Sequence, residues 1–187
     1  HFTVAVEDVF QMHNASAIVR TCEVFGVQTV HLIEEKYGKR LDAEIAMGAE
    51  KWVTTHRYPD TASSLEALKA QGYRIVATVP DEKATYLEDF DINHKSVFFF
   101  GTERKGLSQE VLLNADELLT IPMVGFTQSL NISVSVAIIL QYLTQKLRKS
   151  DLQWQLSAQE QLETRLQWTK NSIRSLSDIL SRYYSIQ

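Results

Sequence analysis

Ser96-Val97-Phe98-Phe99-Phe100 runs straight into Gly101. A short apolar run that does not alternate with polar residues suits a strand covered on both faces, the environment of a parallel sheet with helices above and below. It is also far shorter than the roughly 20 residues that cross a bilayer, as is the other long apolar run, Val136 to Leu140. A parallel sheet needs crossover connections, so helix-period segments should alternate with the remaining strands.

They do. Residues 2–6, 29–33, 52–58, 73–79, 96–100 and 118–123 read as strands. Residues 13–26 read as a helix, with Ala15, Ile18, Val19, Cys22 and Phe25 on one face, Asn14 as N-cap and Gly26 as the stop. Residues 61–71 form a second helix closed by Gly72, and a short helix follows Ser108. Residues 34–50 read as a loop with a short helix. A long helix is expected over 129–149, apolar enough in its first half to be buried or to lie in a subunit interface. Ser157-Ala158-Gln159-Glu160 is a capping box. It opens a last amphipathic helix with Leu162, Leu166, Thr169, Ile173, Leu176 and Leu180 along one side. The expected architecture is α/β, a mostly parallel sheet over residues 1–150 with a helical extension over 151–187. In such sheets ligands sit at the carboxyl ends of the strands. Attention therefore falls on the loops after Val79, Phe100 and Met123.

Charge adds a modest pointer. The whole chain carries −4. Residues 141–187 hold seven Lys/Arg against four Asp/Glu, a local +3, whereas residues 1–140 carry −7. A basic end on an acidic body suits an anionic partner or simply a solvated helix face. The single cysteine, Cys22, forms no internal disulfide and points to a reducing cytosol. The five histidines lack metal-ligand spacing, so a zinc site is not expected. The chain opens at His1, already in a strand-like stretch, with no charged-then-apolar leader, so residues ahead of it are expected to be missing.

Three segments carry the candidate chemistry. Phe100-Gly101-Thr102-Glu103-Arg104-Lys105-Gly106-Leu107-Ser108 lies between a buried strand and a helix, the setting of a phosphate loop. Leu107 stands where a triphosphate loop needs lysine, and Lys105 is expected to point elsewhere. What remains is a glycine-flanked turn with Glu103 at its tip, at which a Cβ on Gly106 is expected to intrude on a ligand. Ile121-Pro122-Met123 leads through Gly125 to Ser129-Leu130-Asn131-Ile132-Ser133, where three polar residues gather at the mouth of an apolar helix. One cap explains one of them. On the helix from His13, the residues His13, Ser16, Arg20 and Glu23 form a polar stripe. Arg20 either pairs with Glu23 in water or holds a phosphate or a reacting hydroxyl. No G-x-S-x-G elbow and no G-x-G-x-x-G fingerprint occurs.

Together these segments resemble the three motifs of the SPOUT methyltransferases, specifically the TrmH-type RNA ribose 2′-O-methyltransferases. Asn14-Ala15-Ser16-Ala17-Ile18-Val19-Arg20-Thr21-Cys22 resembles the first, and the Phe100–Ser108 loop the second. Residues 121–123 through 129–133 resemble the third. The resemblance implies a deep trefoil knot toward the C-terminal end, a bent S-adenosylmethionine held there, and a homodimer whose sites are completed by the partner chain. The implied cofactor cradle is Thr78, Val79, Phe100, Gly101, Glu103, Gly106, Ile121, Met123, Ser129 and Leu130. Arg20 resembles the arginine that engages the ribose 2′-hydroxyl, and Asn14 its positioning partner. Glu103, Ser129 and Asn131 resemble the residues that shape the site. A guanidinium stays protonated, so Arg20 is a better stabiliser of a developing alkoxide than a general base.

The C-terminal extension is similar to that of members acting on the guanosine at position 18 of the tRNA D-loop. Those members carry a basic N-terminal arm. None precedes His1 here, so RNA contact would rest on the C-terminal segment unless such an arm is missing. A ribosomal-RNA methyltransferase, a catalytically idle RNA-binding module of the same fold and a nucleotide-binding protein are the alternatives. Neither a metal nor a membrane is expected.

Overall fold

The computed structural model describes residues 1–8, 12–34, 43–102 and 105–185. It divides into two compact units, His1–Gln153 and Trp154–Gln187.

The first unit is built on a parallel sheet of seven strands among the described residues. These are β1 (Phe2–Glu7), β2 (Thr29–Ile33), β3 (Thr54–Tyr58), β4 (Arg74–Thr78), β5 (Thr85–Tyr86), β6 (Ser96–Phe100) and β7 (Glu117–Thr120). Their spatial order is β3-β2-β1-β6-β4-β7-β5. The apolar run is the central strand, with all five residues of β6 buried. Val4 pairs with Phe98 and Val30, and Val76 pairs with Phe98, so the register aligns one buried row across four strands. The other row contains Ala5, Ile33, Ile75, Ala77, Val97 and Phe99. It packs under Leu65 and Leu68 of α3 (Thr61–Ala70) and Val111 of α4 (Gln109–Asn114). In the same unit α1 (Met12–Phe25) packs on α5 (Ile132–Arg148), and α2 (Ala43–Ala46) lies against α1.

Several boundaries differ from expectation, each for a local reason. Asn14 is the third residue of α1 rather than its cap, and it is buried. Gly26 does end that helix, at φ 76°, a conformation that favours glycine. The stripe opposite the apolar face is not uniformly solvated, since Ser16 is buried. β7 stops at Thr120, because Pro122 brings no N–H to a ladder. β5 escapes notice in the sequence because two residues carry no periodicity.

The long helix starts at Ile132, with Ser129 and Leu130 outside it. Asn131 is the cap, its Oδ1 accepting the Ser133 N–H at 2.9 Å. Of the segment 34–50, residues 35–42 lie outside the described chain. The rest forms α2 and a 3-10 turn at Ala49–Lys51.

The second unit opens on the expected capping box, in which Ser157 and Glu160 bond reciprocally. Its helix is not continuous. α6 (Ala158–Ser172) ends where Ile173 turns extended, and Ser175 takes φ 56° before α7 (Leu176–Ser185) begins. Ser, Asn and the β-branched Ile are weak helix formers, and they cluster over 171–175. Leu162, Leu166, Leu180, Tyr183 and Tyr184 are exposed.

Candidate cofactor cavity and active site

Parallel strands end on one side of the sheet, so the loops after β4, β6 and β7 meet. They enclose a cavity of about 380 Å³, within the range of small-molecule sites. From the first loop come Thr78, Val79 and Pro80; from the second Phe100, Gly101, Thr102, Lys105 and Gly106. The third contributes Ile121, Met123, Gln128, Ser129 and Leu130, and α5 closes the floor with Ile132, Ser135 and Ile139.

Hydrogen bonds to backbone carbonyls hold these loops against one another. The Thr78 hydroxyl donates to the Phe99 carbonyl at 2.7 Å, and the Val79 N–H to the Leu119 carbonyl at 2.9 Å. The middle loop closes on itself: Thr102 N–H donates to the Gly106 carbonyl at 3.1 Å, and Gly106 N–H to the Thr102 carbonyl at 2.8 Å. The Thr102 hydroxyl accepts the Lys105 N–H at 3.1 Å. Ser108 then caps α4 through its side chain, which accepts the Val111 N–H at 3.2 Å.

The two glycines of this loop have different roles. A Cβ on Gly101 would strike the Gly106 carbonyl and the Leu107 nitrogen. A Cβ on Gly106 would meet open space, although φ there is 67°. The tight approach of backbone to backbone in this loop is therefore at Gly101, while Gly106 turns its open side to space beside the cavity that it lines. Lys105, expected to point elsewhere, lines the cavity.

Nine of the residues expected in a cofactor cradle line this one cavity: Thr78, Val79, Phe100, Gly101, Gly106, Ile121, Met123, Ser129 and Leu130. Glu103 lies outside the described residues. Asn131 stands beside the cavity and donates its Nδ2–H to Oδ1 of the buried Asn14 at 3.2 Å. The first and third segments are thus joined by one side-chain hydrogen bond. Arg20 is exposed and lines a separate depression with Ala17, Thr21, Val24 and Phe25 of α1, Ile45 of α2 and Ala137 of α5. Cys22 is fully buried, and burial pushes its thiol up, which disfavours the reactive thiolate.

The third expected segment, residues 121–130, also holds Gln128, which lines the cavity, and Val124 and Phe126, both fully exposed, whereas sequence reasoning missed Ser135 of α5 in the lining. Ser135 follows Ser133 in the first turn of an otherwise apolar helix, and that polar pair was the available signal. Among the described residues no cluster of His, Cys, Asp or Glu could hold a metal. No helix among them is long and apolar enough to cross a membrane.

Comparison with known proteins bears on this cavity. Residues 1–141 match the SpoU rRNA Methylase family. A tRNA (guanosine(18)-2′-O)-methyltransferase of Borreliella burgdorferi is 42% identical over 175 residues, covering 94% of this chain and 80% of the relative. A Thermus thermophilus enzyme of the same name is 38% identical over 74% of this chain and 71% of its own length. Among solved structures, an A. aeolicus TrmH/SpoU tRNA-modifying enzyme superposes with a TM-score of 0.82 at 30% identity, over 92% of this chain and 90% of that one. An AdoMet-bound rRNA methyltransferase of Sinorhizobium meliloti gives a TM-score of 0.70 at 25% identity, over 79% and 57%. The family match takes in every strand of the sheet and all three loops around the cavity, and this chain belongs to the SpoU rRNA methylase family.

Proposed function

We propose that this chain methylates the 2′-hydroxyl of a ribose in tRNA, the D-loop guanosine at position 18, using S-adenosylmethionine. The carrying observation is the single cavity formed by three strand-end loops. Support for the substrate comes from the names of the B. burgdorferi and T. thermophilus relatives, and for the methyl donor from the AdoMet-bound neighbour.

The residues present fit such a donor. The cavity is of small-molecule size, its lining mixes apolar residues with hydroxyl, amide and ammonium side chains, and Gly101 permits a loop folded too tightly for any Cβ. Thr78, Thr102, Gln128 and Ser129 offer polar groups, while Val79, Ile121, Met123 and Leu130 offer apolar contact. Bound there, S-adenosylmethionine supplies an electrophilic methyl group on a sulfonium. Arg20 then serves as a fixed cation for the ribose oxygen as it gains negative charge. Asn14, buried and tied to Asn131, fixes the start of α1, from which Arg20 projects.

Arg20 lines a depression apart from the cavity of its own chain, a placement that fits a homodimer in which each site takes residues from both copies. The candidate contact face belongs to α1 and α5. Val24 is 65% exposed, and Val134 and Ile138, one turn apart on α5, are 44% and 36% exposed. Apolar groups on packed helices favour a second copy of the chain. The trefoil knot implied by the family resemblance belongs to this reading, with the loops after β6 and β7 as its site, and so does work in the cytosol, where tRNA is found. Residues 1–150 would be the methyltransferase domain and 151–187 its helical extension. The exposed ring of Phe126 beside the cavity offers a surface on which an unstacked base can lie.

Calorimetry with S-adenosylhomocysteine and with ATP, both without metal, tests the cavity. Binding of the first and not the second is expected. The reverse would replace the methyltransferase by the nucleotide-binding alternative.

A further inference from the structure

Glu7 is the last residue of β1 and is 5% exposed. Each carboxylate oxygen takes a different partner. Oε1 accepts the Thr61 hydroxyl at 2.5 Å, and Oε2 accepts the Ser108 backbone N–H at 2.7 Å. Thr61 is the first residue of α3 and is itself fully buried, and Ser108 is the cap of α4. The carboxylate therefore sits between two helix starts, where donors are in surplus and negative charge is favoured.

The cavity-lining segment that begins at Gly101 leads directly to Ser108. Its upstream end is fixed in the sheet, where Phe100 pairs with Val6. Its downstream end is fixed by Glu7, the neighbour of Val6, through Ser108. Two consecutive residues of β1 thus hold both ends of the loop whose Gly101, Thr102, Lys105 and Gly106 wall the cavity.

We infer that Glu7 is a positioning residue for the methyl donor: it sets the span of the Gly101–Ser108 loop and thereby the shape of the cavity, without lining it. The inference rests on the reading of the cavity as the S-adenosylmethionine site. A backbone N–H can only donate, so Ser108 needs an acceptor, whereas the Thr61 hydroxyl can donate or accept. Glutamine at this position can turn its oxygen to Ser108 and its NH₂ to Thr61. Methionine has similar length and neither acceptor, and leaves the Ser108 N–H unpaired.

The experiment compares Glu7→Met, Glu7→Gln and Thr61→Val with the parent for S-adenosylhomocysteine binding by calorimetry and for tRNA methylation kinetics. Temperatures are kept well below each melting point. Glu7→Met is expected to weaken binding at least tenfold and to raise KM for the donor in proportion, with kcat at saturating donor within about threefold of the parent. Glu7→Gln is expected to restore affinity to within about threefold, and Thr61→Val to leave it unchanged. A folded Glu7→Met with parental affinity overturns the inference. Equal loss of affinity in Thr61→Val and Glu7→Met also overturns it, since that pattern reports general destabilisation.

Amide exchange in the parent provides a test that no variant has to survive. The Ser108 N–H is expected to be protected without ligand, and free exchange contradicts the anchor. If the parent itself binds no S-adenosylhomocysteine, the cavity reading fails, and Ser108 protection still reports separately on the Glu7 bond.

Discussion

Asn131 donates to Asn14 at 3.2 Å across 117 positions of sequence, and the same Asn131 accepts the Ser133 N–H and hydroxyl at 2.9 and 2.6 Å. One side chain therefore caps α5 and fastens it to α1. Asn131→Asp keeps the capping oxygen and replaces the donor to Asn14 by an acceptor. Loss of this partly buried bond is expected to cost about 1–3 kcal/mol in urea unfolding. A drop in kcat/KM for tRNA of tenfold or more is also expected, with S-adenosylhomocysteine affinity within about threefold. Parental turnover would show that the tie does not serve the reaction.

The two loop glycines should respond differently. Gly101→Ala places a methyl against the Gly106 and Leu107 backbone, so the loop must open and donor binding should be lost. Gly106→Ala clears the protein's own atoms and carries the cost of its positive φ, about 1 kcal/mol, so the loop should stay closed and donor binding should fall less than in Gly101→Ala. Calorimetry on the pair distinguishes the positions, and the opposite ranking would refute the assignment of the tight approach.

Arg20→Ala should reduce methyl transfer by about 10²–10³-fold, the usual consequence of losing one well-placed donor to a developing oxyanion. Cofactor affinity should barely change, because Arg20 is outside the cavity lining. Arg20→Lys should recover little, since an ammonium lacks the planar fork. Mixing inactive Arg20→Ala with an inactive cavity variant should restore part of the activity if dimers share sites. No recovery in mixed dimers would place each site within one chain.

His31 makes stability depend on pH. It is buried, its Nδ1 lies 3.1 Å from the Tyr58 hydroxyl, and its Nε2 has no hydrogen-bond partner among the described residues. Burial, with a smaller contribution from His56, pushes its pKa from 6.5 down to about 4. The folded state therefore resists the proton that the unfolded chain accepts. Its contribution is full above pH 6.5 and is lost as pH falls from there toward 4, by roughly 3 kcal/mol at most. Urea midpoints of the parent should fall across that window, and those of His31→Phe should fall less. Parallel curves would contradict the assignment.

Much of the fold was legible because β6 is apolar on both sides and five further strands keep the pattern of a covered sheet. The three loops around the cavity were legible because glycines, a proline and polar residues interrupt that pattern at strand ends, as at Gly101, Pro122 and Ser129, and the individual residues expected there came from the family resemblance. What escaped depends on distant partners. Nothing near Asn14 announces that it bonds Asn131 rather than capping its own helix, and nothing near Glu7 announces Ser108. Gly106 shares with Gly101 the same local sequence logic, and only the folded loop shows which of them faces backbone. The break at Ser175 is a local conformational choice that the continuing apolar stripe conceals.

Transfer of a labelled methyl group from S-adenosylmethionine to tRNA tests the central claim most directly. Two transcripts differ only at position 18, one carrying guanosine and the other 2′-O-methylguanosine. The protein should label the first in the ribose of that nucleotide and leave the second unlabelled. Equal labelling of both, or label on a base, would contradict a 2′-O-methyltransferase acting at that site.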